Sequence, residues 1–443
     1  MRFRHVMTAL TRAWVASALA IVPLGASITL PAGADVTGHV TPEIGSPLAY
    51  RYVGRDHSHF AYQFTCQEPG ASPNCYTPRE LATAYDIPRN LSGAGQTIVL
   101  VDAFGNPTIT QDLGVEDGTF KLPGAHLSIV YPNGKPAFNP ADADEVSWSG
   151  EISLDVESAH AVAPAAKIDL VIAKDDQDPA MLNALRYVVA HHLGSVLSMS
   201  YGEAESCAAA SVVKAEHTLF AQAAGQGMTV LAASGDNGAA QPSCDGATYI
   251  RSASLPAADP LVTGVGATSL TAKPPAGTYK SETAWNNSYG SSGGGYSRLY
   301  KRPSYQNGFV PAAGRGVPDI SYSGDVNNGL LIAWSQGVAA NVGNIYEFGG
   351  SSAAAPQWAA IVALADQLGR RRIGFMNDAL YSLAHGSRYD YVFHDVTRGN
   401  NTVSVAGSDN NTVRITGYAA GKGWDAVTGL GSPNVVHLLK YLH

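Results

Sequence analysis

The chain has 443 residues, a formal net charge of −8, 45% hydrophobic residues and only 14% charged ones. This is core material for one large α/β domain or for several units of about 100–200 residues. The acidic balance excludes a nucleic-acid binder that works through a basic surface. A charged fraction well below the usual ~25% leaves few surface ion pairs to lose at low pH.

The N-terminus reads as an export signal. Arg2, Arg4 and Arg12 precede an apolar stretch from Trp14 to Leu24, and the small-residue site Ala32-Gly33-Ala34 follows. The apolar part is short for a membrane span of ~20 residues, and no later segment is long and apolar enough. Residues 1–34 are therefore expected to be a signal peptide cleaved near Ala34, releasing a secreted chain. Cys66, Cys75, Cys207 and Cys244 make an even count, which in an exported protein favours disulfides. Of the three possible pairings the sequence-local one, Cys66–Cys75 with Cys207–Cys244, is preferred.

Residues 35–75 look polar and irregular. From Tyr76 to Tyr85 the pattern is helical, broken at Pro88. Thr97–Val101 is a β-branched run that stops at Asp102, and Ile168–Ile172 is a second buried strand. Pro179–His192 has helical spacing, then strand Val196–Met199, helix Ser211–Ala224 and strand Met228–Ala232. Strands alternating with helices imply a doubly wound, mostly parallel α/β sheet with helices on both faces. Ligand sites in such sheets lie at the carboxyl ends of strands. Three polar stops sit there: Asp102, Ser200-Tyr201-Gly202 and Ser234-Gly235-Asp236. Residues 271–347 are loop-rich and include the run Gly290–Gly295; the last helix is expected near Ser352, with turns and short strands from Phe393 to Gly431.

Four constellations carry chemistry. Gly349-Gly350-Ser351-Ser352 leads into an alanine-rich helix, so Ser352 is expected to be exposed at a helix N-terminus, near backbone N–H groups that stabilise an oxyanion. Pro356 is expected in the first turn, where a missing N–H costs least. A plain serine N-cap is the bland alternative. Glu151 and Asp155 stand at i,i+4 and share one face if helical; two close carboxyls retain a proton into mildly acidic pH. Asp236 after its strand would cap a helix, bind a metal, or donate a hydrogen bond when protonated. Asp395-Val396 and Gly421-Lys422-Gly423-Trp424-Asp425 offer hard oxygen ligands suited to Ca²⁺, although Asp and Gly are also ordinary turn residues. There is no phosphate loop, no G-x-S-x-G elbow leading from a strand into a helix, and no H-E-x-x-H motif. His191 and His192 face apart in a helix; His160 and His394 read as packed or exposed side chains.

Taken together, these segments resemble the sedolisins, the serine-carboxyl peptidases of subtilisin-like fold. The likeness runs over residues 76–443 and includes Tyr76-Thr77-Pro78 with Tyr85-Asp86-Ile87-Pro88, Val101-Asp102, Ser198-Met199-Ser200-Tyr201-Gly202, Gly293–Ser297 and Arg315-Gly316-Val317-Pro318-Asp319. The resemblance implies Ser352 as nucleophile, Glu151 as general base, Asp155 as its partner and Asp236 as the oxyanion donor. It implies one structural Ca²⁺ in a C-terminal loop region, held by Asp395 and Asp425 with the carbonyls of Val396, Gly421 and Gly423. Ser351 stands where the family has Thr, and Ala354 at a usual Ser position. A carboxylate base stays usable below pH 6, so an acid-acting secreted endopeptidase is expected. Its expected partners are protein or peptide substrates bound as an added strand, without nucleic acid or stable membrane association, the chain acting as a monomer. The family's long folded prodomain has no room here, so residues 35–75 are either a short propeptide or an extension. Two alternatives remain: a Ser-His-Asp hydrolase, and a catalytically silent peptide-binding relative.

Overall fold

The computed structural model describes residues 41–42, 50–55, 64–67, 71–72, 74–273, 276–337, 342–406 and 412–443. All of them belong to one compact unit, Thr37–His443. The expected signal peptide and its cleavage site lie outside the described residues.

The described residues begin with three short strands, β1 (Thr41–Pro42), β2 (Tyr50–Arg55) and β3 (Asn74–Tyr76). Residues 35–75 are thus not simply irregular. Their pairing partners lie far along the chain, which a local pattern does not reveal. Helix α1 (Pro78–Ala84) follows, opened by a reciprocal capping box between Thr77 and Glu80.

The central sheet starts at β4 (Thr97–Ala103). Helix α2 (Ile109–Phe120) leads to β5 (His126–Val130), and α3 (Ala143–Val162) leads back to β6 (Lys167–Ala173). The chain then crosses to the other side of β4 through α4 (Asp178–Ala190) to β7 (Val196–Met199) and β8 (Tyr201–Ala204). Next come α5 (Ala210–Gly225) and β9 (Thr229–Ala233). A hairpin of β10 (Ala240–Pro242) and β11 (Tyr249–Arg251) precedes β12 (Ser254–Leu255), β13 (Thr263–Lys273) and β14 (Thr278–Ala284). Two small hairpins follow, β15 (Asn286–Asn287) with β16 (Gly290–Ser291), and β17 (Gly295–Lys301) with β18 (Gly314–Val317). Then come β19 (Ile320–Ser323), β20 (Asn328–Ala333), β21 (Asn344–Phe348) and helix α6 (Ser351–Gly369).

The main sheet runs β14-β13-β9-β7-β4-β6-β5, with β19 also paired to β13. It is parallel except for β14. The expected doubly wound sheet is therefore present, and alternation along β4 shows how it is filled. Ile98 and Leu100 face the core shared with α3 and α6; Val99 and Val101 face the core shared with α4 and α5. α3 is buried on every side from Trp148 to His160. A helix buried all round normally carries only apolar residues. This one carries Glu151, Asp155, Glu157 and His160, the first sign that it serves more than packing.

Several element boundaries differ from the sequence reading. α6 is not the last helix: Asn377–Ala384, Tyr389–Val392 and Val435–Leu438 follow it. α4 ends at Ala190, so His191 caps it and His192 turns into a left-handed conformation at φ 51°. Both disulfides take the preferred pairing, Cys66–Cys75 and Cys207–Cys244.

Candidate active site

The three expected polar stops lie at the carboxyl ends of neighbouring strands β4, β7 and β9, and helices α3 and α6 bring their side chains to the same place. Gly350, at φ 95°, is the N-cap of α6, so Ser351 and Ser352 begin its first turn. Gly349 is required here because a Cβ would lie 2.5 Å from the Gly324 carbonyl oxygen. Pro356 lies in the second turn rather than the first, so its missing N–H leaves the Ser352 carbonyl without the usual intrahelical donor. Ser352 is fully buried rather than exposed, because α3 packs across the start of α6.

Ser352 lies beside Glu151, and its Oγ lies 3.5 Å from the Ser200 carbonyl oxygen. Glu151 in turn neighbours Asp155, whose Oδ1 accepts the Ser200 hydroxyl at 2.7 Å. The side chains therefore follow one another as Ser352, Glu151, Asp155, Ser200. All four residues have no exposed surface. Burial, then the charges of Asp155 and Asp102, hold the Glu151 carboxyl well above its usual range; burial and Asp102 do the same to Asp155.

Asp102 is the residue that the motifs did not assign. It is fully buried at the end of β4, neither of its oxygens has a hydrogen-bond partner, and burial pushes it up to about 7. The available signal was a carboxylate ending an otherwise apolar strand.

Asp236 sits on the other side of the α6 N-terminus. Its Oδ1 accepts the Ser351 N–H at 2.7 Å and the Ser351 hydroxyl at 2.8 Å, and Ser351 Oγ accepts the Gly235 N–H at 3.1 Å. The serine that replaces a threonine thus ties the Asp236 loop to the helix that bears Ser352. The Gly-rich run backs this loop: Gly293 N–H donates to Gly235 at 2.6 Å, and a Cβ on Gly293 would lie 2.1 Å from the Ser234 carbonyl oxygen. This run packs beneath Asp236 and is buried from Ser291 to Gly295, so it is not an open edge for substrate.

β8 is paired on both sides. One side pairs with β12; on the other, β1 pairs antiparallel, with Thr41 opposite Gly202 and Pro42 opposite Tyr201. The histidines are engaged elsewhere. His160 Nε2 contacts Asp117 Oδ1 at 2.9 Å and the Pro123 carbonyl at 3.0 Å, and His394 stacks on Tyr279 with ring centroids 3.9 Å apart.

The candidate cation loop also assembles. Gly423 N–H lies 3.2 Å from both oxygens of Asp395, and Gly421 N–H donates to Asp425 Oδ2 at 3.0 Å. Tyr389 OH donates to Asp395, and Asp425 Oδ1 accepts the Val427 and Thr428 N–H groups, each at 2.9 Å. Among the described residues no group of three or more His, Cys, Asp or Glu side chains could hold a metal. Asp395, just after the strand Phe393–His394, and Asp425, on the Gly-rich turn, together with main-chain carbonyls are nevertheless a hard-oxygen donor set of the kind that suits a hard cation.

No family model matches the chain. Kumamolisin of Bacillus sp. (strain MN-32) is 36% identical over 392 residues, covering 86% of this chain and 66% of that protein. Sedolisin of Pseudomonas sp. (strain 101) is 30% identical over 383 residues, covering 83% of this chain and 61% of that protein. The chain thus spans somewhat less than two thirds of these relatives' length. The solved structure of Pseudomonas sedolisin, a serine-carboxyl proteinase complexed with two molecules of pseudo-iodotyrostatin, aligns with a TM-score of 0.70 at 30% identity, covering 83% of this chain and 97% of that one.

Proposed function

The chain belongs to the sedolisin family, with its subtilisin-like α/β fold, and on that premise we propose that it is a secreted serine-carboxyl endopeptidase acting at acid pH. The observation that carries this reading is the fully buried row of neighbouring side chains Ser352, Glu151 and Asp155, with no histidine in it. Ionised Glu151 takes the proton from Ser352 Oγ as that oxygen attacks the peptide carbonyl; the leaving amine takes the proton, and water later releases the acyl group from Ser352. Asp155 orients Glu151. Asp236, protonated and with Oδ1 already committed to Ser351, donates to the oxyanion together with backbone N–H groups at the start of α6. The test is cleavage of an unfolded protein substrate from pH 2 to 9. Activity on the acid side supports the proposal; an optimum near pH 8 would return the base role to a histidine.

The substrate enters as a strand on the edge of β8 that β1 occupies, and displaces β1. Residues 35–75 are an extension built into the domain through β2 and β3, and their first part competes with substrate. A chain starting at residue 50 is expected to show a KM lower by roughly 30-fold, since about two backbone hydrogen bonds of about 1 kcal/mol each are no longer displaced. An unchanged KM would remove β1 from the substrate path.

One Ca²⁺ is held by Asp395, Asp425 and the carbonyls of Val396, Gly421 and Gly423; its contribution is structural. Chelation is expected to lower the melting temperature, and Asp425→Asn to abolish that sensitivity. A melting curve that ignores both chelator and added Ca²⁺ would exclude the site. Export depends on residues 1–34, and the mature chain works as a monomer without stable membrane association. Among the described residues no helix is long and apolar enough to cross a membrane.

A further inference from the structure

A second group of carboxyls lies on the opposite side of α3 from Glu151 and Asp155. Glu116 on α2 and Glu157 on α3 are both without exposed surface. Neither oxygen of Glu116 has a hydrogen-bond partner; Glu157 Oε2 accepts the Ala333 N–H at 2.7 Å, and its Oε1 has none. The groups facing them are almost all acidic or neutral. Asp112 and Asp117 come from α2, His160 from α3, and the Ala333 N–H and Ser335 hydroxyl from the end of β20. Asp112 accepts hydrogen bonds from Ser335 and Thr108, and His160 faces Asp117. Among the described residues no lysine or arginine pairs with Glu116 or Glu157.

We propose that Glu116 and Glu157 form a proton-dependent latch that holds α2 against α3 and β20 in acid and releases it as the medium turns neutral to alkaline. Two ionised carboxylates in this place would be desolvated, mutually repelling and without a cation, which a fold tolerates only by moving apart or admitting water. Burial holds both groups well above the usual carboxyl range, and Glu157 is raised further by Glu116, Asp112 and Asp117. The sign follows from linkage. A carboxyl raised in the folded state keeps a proton that the unfolded chain releases near about 4.3, so its contribution is complete below that pH and is lost as pH rises toward the folded value.

The latch also has a place to act. Val115 and Phe120 of α2 pack on the small core of Phe64, Cys66, Cys75, Leu331, Ala333 and Ile345, which joins the Cys66–Cys75 loop to β20 and β21. β21 ends at Phe348, directly before Gly349.

The test uses the full Ser352→Ala chain, which prevents self-digestion and makes the readout independent of peptidase activity. Its melting temperature is expected to fall by roughly 5 °C or more between pH 5 and pH 9. Amide exchange, corrected for intrinsic rate, should rise first in residues 109–120 and 328–333. Glu116→Gln and Glu157→Gln should flatten the fall and preserve protection of α2 at pH 9. Glu216→Gln serves as comparator: burial and Glu203, Asp178 and Asp259 push Glu216 up to about 8, but it lies on α5 and should leave α2 exchange unchanged. Unaltered pH dependence in both Glu→Gln variants would overturn the proposal. If either variant fails to fold, exchange in α2 and β20 of the unsubstituted background that does not change with pH would overturn it alone.

Discussion

Glu151→Gln is expected to lower kcat by about 10,000-fold or more at every pH, and Ser352→Ala by a similar factor, with KM little changed in either. Gln keeps the shape of the side chain beside Ser352, so the substitution isolates proton acceptance from packing. Because nucleophile and base act on one proton, the double variant should lose no more than either single one. Both positions are fully buried on well-packed helices, so melting curves must accompany the kinetics to show that the fold survives. Substantial activity in Glu151→Gln would remove the carboxylate from the base role. His160 would then be the first residue to examine, although its Nε2 is already engaged by Asp117 and the Pro123 carbonyl. A folded, calcium-loaded wild-type chain without activity at any pH would instead favour the silent peptide-binding relative.

Asp236→Ala should lower kcat by about 100- to 1000-fold, the usual cost of one oxyanion donor. It should also release Ser351, whose N–H and hydroxyl both donate to Asp236 Oδ1. The donor role requires a neutral carboxyl, and the rest of the site sets the same direction in pH. Glu151 and Asp155 are raised by burial and by neighbouring carboxylates, and burial pushes Asp102 up to about 7. On rising from low pH, the first ionisation of this group supplies the single negative charge that Glu151 needs. As pH rises past about 7, the value to which burial pushes Asp102, a second buried negative charge enters the group around Glu151 and Asp155. Each further pH unit costs about tenfold, so kcat/KM at pH 9 should lie about 100-fold below the acid maximum. A profile flat from pH 5 to 9 would refute this account. The stability that these protonated groups leave in place follows the same sign: complete below about pH 4 and lost as pH rises through the raised values.

Local pattern made much of this site legible. Val196–Met199 is a strand as read, because its apolar run is bounded on both sides. Glu151 and Asp155 face together because the i,i+4 spacing of a helix decides it. What local pattern missed was set by distant partners. The strand Tyr50–Arg55 exists because β21 accepts it, and nothing within its own six residues requires that. Ser352 was expected at the surface because helix N-termini usually lie there, but α3 covers it. Asp102 was read as the end of a strand, since only the crossing of α3 over β4 brings its carboxyl beside Glu151 and Asp155.

The burial of α3 on all sides has a practical consequence for redesign. One rod of backbone presents a reacting pair to one neighbour and Glu157, one half of the second pair, to another, and neither face meets solvent. A variant selected for speed at neutral pH must alter the first pair, yet it would still be assayed in a medium that loosens the second. Its gain would be read as a short working life rather than as a faster turnover. Moving this protein to a neutral process therefore calls for coordinated changes on two adjacent helices, with Glu116 on α2 and Glu157 on α3 made pH-insensitive before the catalytic carboxyls are touched.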